Sequence, residues 1–239
     1  MLSLSFLQKT SVKFQTSELN IRREYVQHLL LSYLYQKKQS SNLYFKGGTA
    51  LRILYRSPRF SEDLDFDTTV HKLQTWEQVI EDVLVDISRE GIGVEIEESK
   101  TTSGGYLGIV ILSHVGDPIK IHFEISFRKD MVEGEAFTVE SDFTAPYFIK
   151  SLATANLVDS KVAALLDRQK ARDFYDLYFM LRANLLSPNQ KKQLVKVRQL
   201  LNKKEINFET ELALFLPRSQ AMMVRDLKKS LLGEIGRNM

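Results

Sequence analysis

The 239-residue sequence predicts an α/β core followed by an all-helical part. Two observations predict it. Hydrophobic residues recur at helical spacing near residues 16–36 and 73–89, alternate between Ile92 and about Val139, and return to helical spacing from Ala153 onward. Charge divides in the same place: residues 1–149 hold 16 Lys and Arg against 21 Asp and Glu, whereas residues 150–239 hold 17 against 9. The formal net charge of +3 therefore hides −5 in the first part and +8 in the second. The expected organisation is a core with an N-terminal helix over 1–149 and a C-terminal helical domain over 150–239. No Gly-, Ser- or Pro-rich linker separates them, and no internal repeat is visible.

Each element has a local reason. Ser17-Glu18 reads as a helix start, and Ile21, Tyr25, Leu29, Leu30, Tyr33 and Leu34 supply one apolar face. Leu43-Tyr44-Phe45 is strand-like and runs into Gly47-Gly48-Thr49; Ala50 to Tyr55 is a short helix stopped by Ser57-Pro58. Leu73 to Arg89 is amphipathic, with Trp76, Val79, Ile80, Val83, Leu84 and Ile87 apolar and Gly91 as a stop. Strands follow at Val94–Ile96, Tyr106–Leu112 and Ile119–Ile125, with turns at Gly104-Gly105 and Gly116-Asp117-Pro118. The remaining segments, 153–167, 171–182, 188–202 and 222–232, read as helices.

Composition narrows the chemistry. With no cysteine, a disulfide scaffold, a thiol nucleophile and a thiolate zinc site are excluded. Hydrophobic residues at 44% and charged residues at 26% are ordinary for a globular protein. No apolar run approaches the ~20 residues of a membrane span, and MLSLSFLQKT has neither a charged n-region nor a long h-region, so a cytoplasmic protein without membrane contact is expected. The basic final third suits a polyanionic partner, although solvated helix faces are also Lys-rich.

The strongest constellation is Lys46-Gly47-Gly48-Thr49 followed by Arg59-Phe60-Ser61-Glu62-Asp63-Leu64-Asp65. Two glycines after a strand let the backbone approach a phosphate, and the helix opened at Thr49 presents free N–H groups to an anion. Asp63 and Asp65, two apart on a strand, point to the same face. Adjacent carboxylates repel unless a cation or proton sits between them. Facing a triphosphate, the natural occupant is Mg²⁺, or Mn²⁺ in its place, and in-line displacement at phosphorus is the matching reaction. A lone Gly-Gly-Thr is a turn and cap, and a lone Asp-x-Asp is an edge-strand pair; the combination and its spacing carry the signal. The string KGGTALRILYRSPRFSEDLDF resembles the AbiEii/AbiGii-type toxins, nucleotidyltransferases of bacterial toxin–antitoxin and abortive-infection pairs.

The later run from Lys161 through Arg168, Arg172 and Asp173 to Asp176-Leu177 resembles the same family's second signature. On one continuous helix Lys161, Arg168 and Arg172 fall near one face and make a cationic wall for a triphosphate or an RNA backbone; the plainer alternative is a solvated basic stripe with an Arg172–Asp176 pair. Asp173 lies near an apolar face and needs a partner. It either caps a second helix after a break at Gln169–Lys170 or holds Lys161 or an arginine.

The resemblance implies an α/β (α+β) polymerase-β-like nucleotidyltransferase core with a mixed sheet, then the helical domain, with an NTP between them. It implies catalytic roles for Asp63, Asp65, Lys161 and Asp173, and a metal on Asp63 and Asp65, with Glu124 from a neighbouring strand as third carboxylate. Gly47, Gly48, Thr49, Arg59, Ser61, Arg168 and Arg172 become nucleotide-binding residues. Arg59 would fork onto a phosphate, and Ser61 would donate to one or be phosphorylated, as some toxins of this kind are silenced; a plain turn after Pro58 is the alternative. The exposed side of the strand Lys120, His122, Glu124, Ser126, Arg128 would give the same alternation without any site. His122 is expected outside the ligand set because Mg²⁺ prefers oxygen. By the same resemblance the acceptor is the 3′ end of tRNA and the partner a cognate antitoxin encoded nearby. A nucleotidyltransferase acting on a protein or small molecule, and a non-catalytic nucleotide-binding module, stay open as alternatives.

Overall fold

The computed structural model describes residues 2–114 and 116–239. It resolves into two compact units, one of Met1–Arg56 with Phe60–Leu152 and one of Ser57–Arg59 with Ala153–Met239.

The first unit is a mixed sheet backed by helices. In chain order it runs α1 (Leu4–Lys13), α2 (Glu18–Leu34), β1 (Leu43–Lys46), α3 (Gly47–Tyr55), β2 (Leu64–Thr68), α4 (Leu73–Arg89), β3 (Gly93–Thr102), β4 (Gly105–Ser113), β5 (Ile119–Phe127), β6 (Gly134–Val139) and β7 (Tyr147–Leu152). Ser17 caps α2 by accepting from Asn20 N–H at 3.2 Å. The seven strands lie in the order β3-β4-β5-β2-β1-β7-β6. β2 pairs with β5, and β1 with β7, in parallel; the other pairs are antiparallel.

Strand alternation sorts the side chains. Phe45, Phe66 and Phe123 are fully buried on one face, their rings 5.4 and 6.3 Å apart across three neighbouring strands. The apolar stripe of α4, from Trp76 to Ile87, and the face of α2 carrying Ile21, Leu30 and Leu34 belong to the same core. The opposite face carries Asp63, Asp65, Asp67, His122, Glu124 and Ser126. α1 and β7 escape the sequence reading. Few side chains of α1 are buried, so its periodicity is weak, and β7 is a short buried strand next to helical sequence.

The second unit is helical: α5 (Thr154–Arg168), α6 (Ala171–Arg182), α7 (Pro188–Lys191), α8 (Leu194–Lys203), α9 (Phe208–Leu212), α10 (Ala221–Arg225) and α11 (Leu227–Asn238). Leu165, Phe174, Leu177, Leu201, Leu212, Leu227, Leu231 and Ile235 are buried in it, with Phe174 edge-on to Phe208 at 6.1 Å. The single helices expected over 188–202 and 222–232 are each broken into two. Among the described residues no helix is long and apolar enough to cross a membrane.

Candidate active site

The carboxylate site starts with backbone placement. Asp63 precedes β2, and three successive carbonyls bring the chain to it. Gln27 Nε2 donates to the carbonyls of Ser61 and Glu62, both at 3.0 Å, and Thr49 Oγ1 donates to that of Asp63 at 2.5 Å. Gln27 and Thr49 are both buried, so these bonds are shielded from water. Thr49 was expected to cradle phosphate through the start of α3. Its hydroxyl is instead turned inward, where it fixes Asp63. Nothing in a local sequence pattern reveals Gln27, which reaches the loop from another helix.

The parallel register of β2 and β5 then sets Asp65 beside Glu124 and Asp67 beside Ser126. The step before puts Asp63 by His122, with Oδ1 and Nδ1 3.3 Å apart. One ligand atom each from Asp63, His122 and Glu124 lies within 4.8 Å of the others. Two of these were expected at the metal. His122 was placed outside the ligand set and belongs to the convergent group. Its signal was the alternation over 120–128, which puts it on the same face as Glu124.

Asp65 sits at the glycine turn. Gly47 has φ +84°, and a Cβ there would fall 1.9 Å from Asp65 Oδ2. Glycine is required twice over, for its left-handed backbone and for the close approach of this carboxylate. Lys46, opposite Asp65 in the β1–β2 register, sends its ammonium to Asp67 at 2.6 Å and to Ser126 Oγ at 3.2 Å. Arg128 Nε lies 2.9 Å from the same Asp67 oxygen. The third aspartate of the run is therefore neutralised by two cations, whereas Asp63 and Glu124 have no lysine or arginine partner among the described residues.

In the helical unit the second signature forms a buried ion triad. Asp176 accepts from Arg59 Nε at 2.8 Å and Nη2 at 2.9 Å, and from Lys161 Nζ at 2.7 Å. Burial pushes the Asp176 carboxyl up, but the two cations outweigh it and hold it down to about 2. Arg59 was expected to fork onto a phosphate; its fork is taken by Asp176. The Arg172–Asp176 pair does not form, and Arg172 Nε is buried without a hydrogen bond.

The single basic helix face does not form either. Gln169 adopts a left-handed conformation (φ 52°) and ends α5. Arg168 is the last residue of α5, while Arg172 lies in the first turn of α6. Both readings of Asp173 hold at once: it accepts from Lys170 N–H at 3.1 Å, capping α6, and grips Arg168 at 2.6 and 3.0 Å. Lys161 belongs to Asp176, not to Asp173. Ser61 is half-buried, and among the described residues its hydroxyl makes no hydrogen bond.

A mixed sheet with a glycine turn ahead of paired carboxylates, and a further carboxylate from the neighbouring parallel strand, defines a nucleotidyltransferase core of the polymerase-β type. The family described as "Nucleotidyl transferase AbiEii toxin, Type IV TA system" matches residues 28–235, and the chain belongs to this family. The crystal structure of JHP933 from Helicobacter pylori is similar in fold, with a TM-score of 0.70 at 22% identity over 93% of each chain. A candidate nucleotidyltransferase from H. pylori gives a TM-score of 0.67 at 19% identity, over 93% of this chain and 95% of that one. At these identities the likeness establishes the fold. No protein with a curated functional description matches the chain. The enzyme is thus a metal-dependent nucleotidyltransferase of the AbiEii toxin family, with an NTP as substrate.

Proposed function

We propose that the chain transfers a nucleoside monophosphate from an NTP to the 3′ hydroxyl of tRNA in the cytoplasm, and that a cognate antitoxin encoded nearby restrains it. The observation that carries the reading is the convergence of Asp63, His122 and Glu124 on the sheet face beside the Gly47–Asp65 turn. Two carboxylates and one imidazole within 4.8 Å fit a hard divalent cation, Mg²⁺ or Mn²⁺, better than a soft one. Asp63 and Glu124 would hold it, with Asp65 adjacent; bound there, it supplies Lewis-acid polarisation of the reacting phosphate.

The chain's own groups do the rest. Gly47 and Gly48 begin α3, whose first N–H groups have no partner within the helix and would suit a phosphate. Gln27 and Thr49 hold Asp63 in one position, so that little reorganisation accompanies the reaction. Lys161, Arg168 and Arg172 are the cations assigned to phosphate charge; the Lys161 ammonium is held 2.7 Å from Asp176, and Arg168 2.6 Å from Asp173. Asp173 therefore acts through Arg168. The excess of 17 basic over 9 acidic residues in 150–239 favours a polyanionic acceptor over a protein or small molecule.

The test incubates purified protein with Mg²⁺ or Mn²⁺, each labelled NTP in turn, and either total tRNA or total cell protein. Label at the 3′ end of tRNA that disappears with Asp65→Ala supports the reading. Label confined to protein or small solutes overturns it.

A further inference from the structure

We propose that Arg128 is a phosphate-binding residue for the acceptor strand, presenting a guanidinium fork on the same sheet face as the carboxylates. The inference rests on the nucleic-acid acceptor proposed above and adds to it a contact and a direction.

Arg128 is held at three points. Its N–H donates to the Thr68 carbonyl at 2.8 Å. Its carbonyl lies 2.8 Å from His71 Nε2, whose ring stacks on Phe127 with centroids 5.4 Å apart and planes 8° from parallel. Its Nε sits 2.9 Å from Asp67 Oδ1. Asp67 is 5% exposed and is also held by Lys46, so the anchor is itself fixed. The Arg128 side chain nevertheless remains 47% exposed, and neither terminal amino group makes a hydrogen bond to the described residues. A guanidinium tied down through Nε, with its outer fork open, is arranged for bidentate recognition of a phosphate. One carboxylate between Lys46 and Arg128 leaves an excess positive charge there.

The position says which phosphate. β1 runs antiparallel to β2 and leads into Gly47 after Lys46, which stands opposite Asp65. Passing along β2 from Asp65 to Asp67 therefore leads away from the glycine turn. Arg128, bound to Asp67, lies on the side of Asp65 and Glu124 opposite to Gly47 and Gly48. With the triphosphate at the glycines, the other side receives the acceptor. The row of Asp67 and Ser126 is two residues, about 7 Å, from that of Asp65 and Glu124, a displacement suited to a backbone phosphate just inside the reacting end.

The test measures binding of labelled total tRNA by fluorescence anisotropy at several salt concentrations, and binding of a fluorescent NTP, for the full chain with Arg128→Ala and Arg128→Lys. Arg128→Ala is expected to weaken tRNA binding about tenfold and to lower its salt dependence by about one released counterion, with NTP binding unchanged. Arg128→Lys keeps a charge beside Asp67 but loses the fork, and gives an intermediate loss. It carries the test should the alanine variant unfold. Unchanged tRNA affinity in the lysine and alanine variants, or a loss confined to NTP binding, overturns the inference. Wild-type transfer to tRNA is scored separately: its absence with an Arg128-dependent RNA affinity removes the proposed reaction and leaves this contact standing.

Discussion

Asp63 and Glu124 lie partly open on the sheet face, with the His122 imidazole converging on them. Asp173 and Asp176 in the helical unit are buried, each in the grip of arginine, lysine or both. All four side chains are carboxylates, yet the first pair is left with charge to be answered from outside and the second pair is answered from within. Two neighbouring carboxylates without a partner cost stability through repulsion, which an enzyme tolerates where it needs a cation. Buried, paired carboxylates cannot recruit a ligand; they fix the cations that touch them.

The largest effect that sharpens the contrast is on chemistry alone. Asp63→Ala should lower nucleotide transfer by at least about a thousandfold, while the unfolding free energy from urea titration changes by less than about 0.5 kcal/mol. A large loss of stability would mean that Asp63 is structural and that the comparison fails. Asp176→Ala should do the reverse in kind. It leaves Arg59 and Lys161 buried without their carboxylate, which costs about 3–5 kcal/mol in denaturant unfolding.

Acid titration tests the buried pairing of Asp176. The Asp176 carboxyl lies at about 2 in the folded protein, below its ordinary 3.8. Its stabilisation is therefore full above about pH 4 and is lost as pH falls toward 2. Asp176→Asn should abolish that part of the decline, whereas Glu124→Gln should leave it in place; circular dichroism between pH 4 and 2 reads both. The smallest expected effect comes from Gln27→Ala, which strands two carbonyls near the site. A destabilisation of about 1–2 kcal/mol with about tenfold slower transfer, and no change in NTP affinity, would mark Gln27 as a positioning residue.

Much of this contrast was legible in the residues. The period-two run from Ile119 to Phe127 placed Glu124 and His122 on a polar strand side, and Gly47-Gly48 with Asp63-x-Asp65 announced the turn and the carboxylates. The paired state of the second signature was not legible. Whether Lys161 and Arg59 are open or engaged depends on Asp176, and Arg59 and Asp176 stand 117 residues apart. The break at Gln169–Lys170 was legible in the separation of the 153–167 and 171–182 helices, although a glutamine rather than a glycine adopts the left-handed conformation there. The approach of His122 to Asp63 and Glu124 was not legible either, because it depends on the register of β2 and β5.

That parallel register has a consequence for the birth of the enzyme. β2 and β5 pair across about sixty residues of chain, and β1 and β7 across about a hundred. Pairings so distant in sequence are slow to form and require both strands to have left the ribosome. Glu124 and His122 reach Asp63 only after β5 is made, and Ser151 reaches its place beside Phe45 later still. At about 5–20 residues per second, several seconds of synthesis separate the first strand of the sheet from β7. A nascent chain therefore carries no assembled carboxylate cluster until β5 has been made and has found β2.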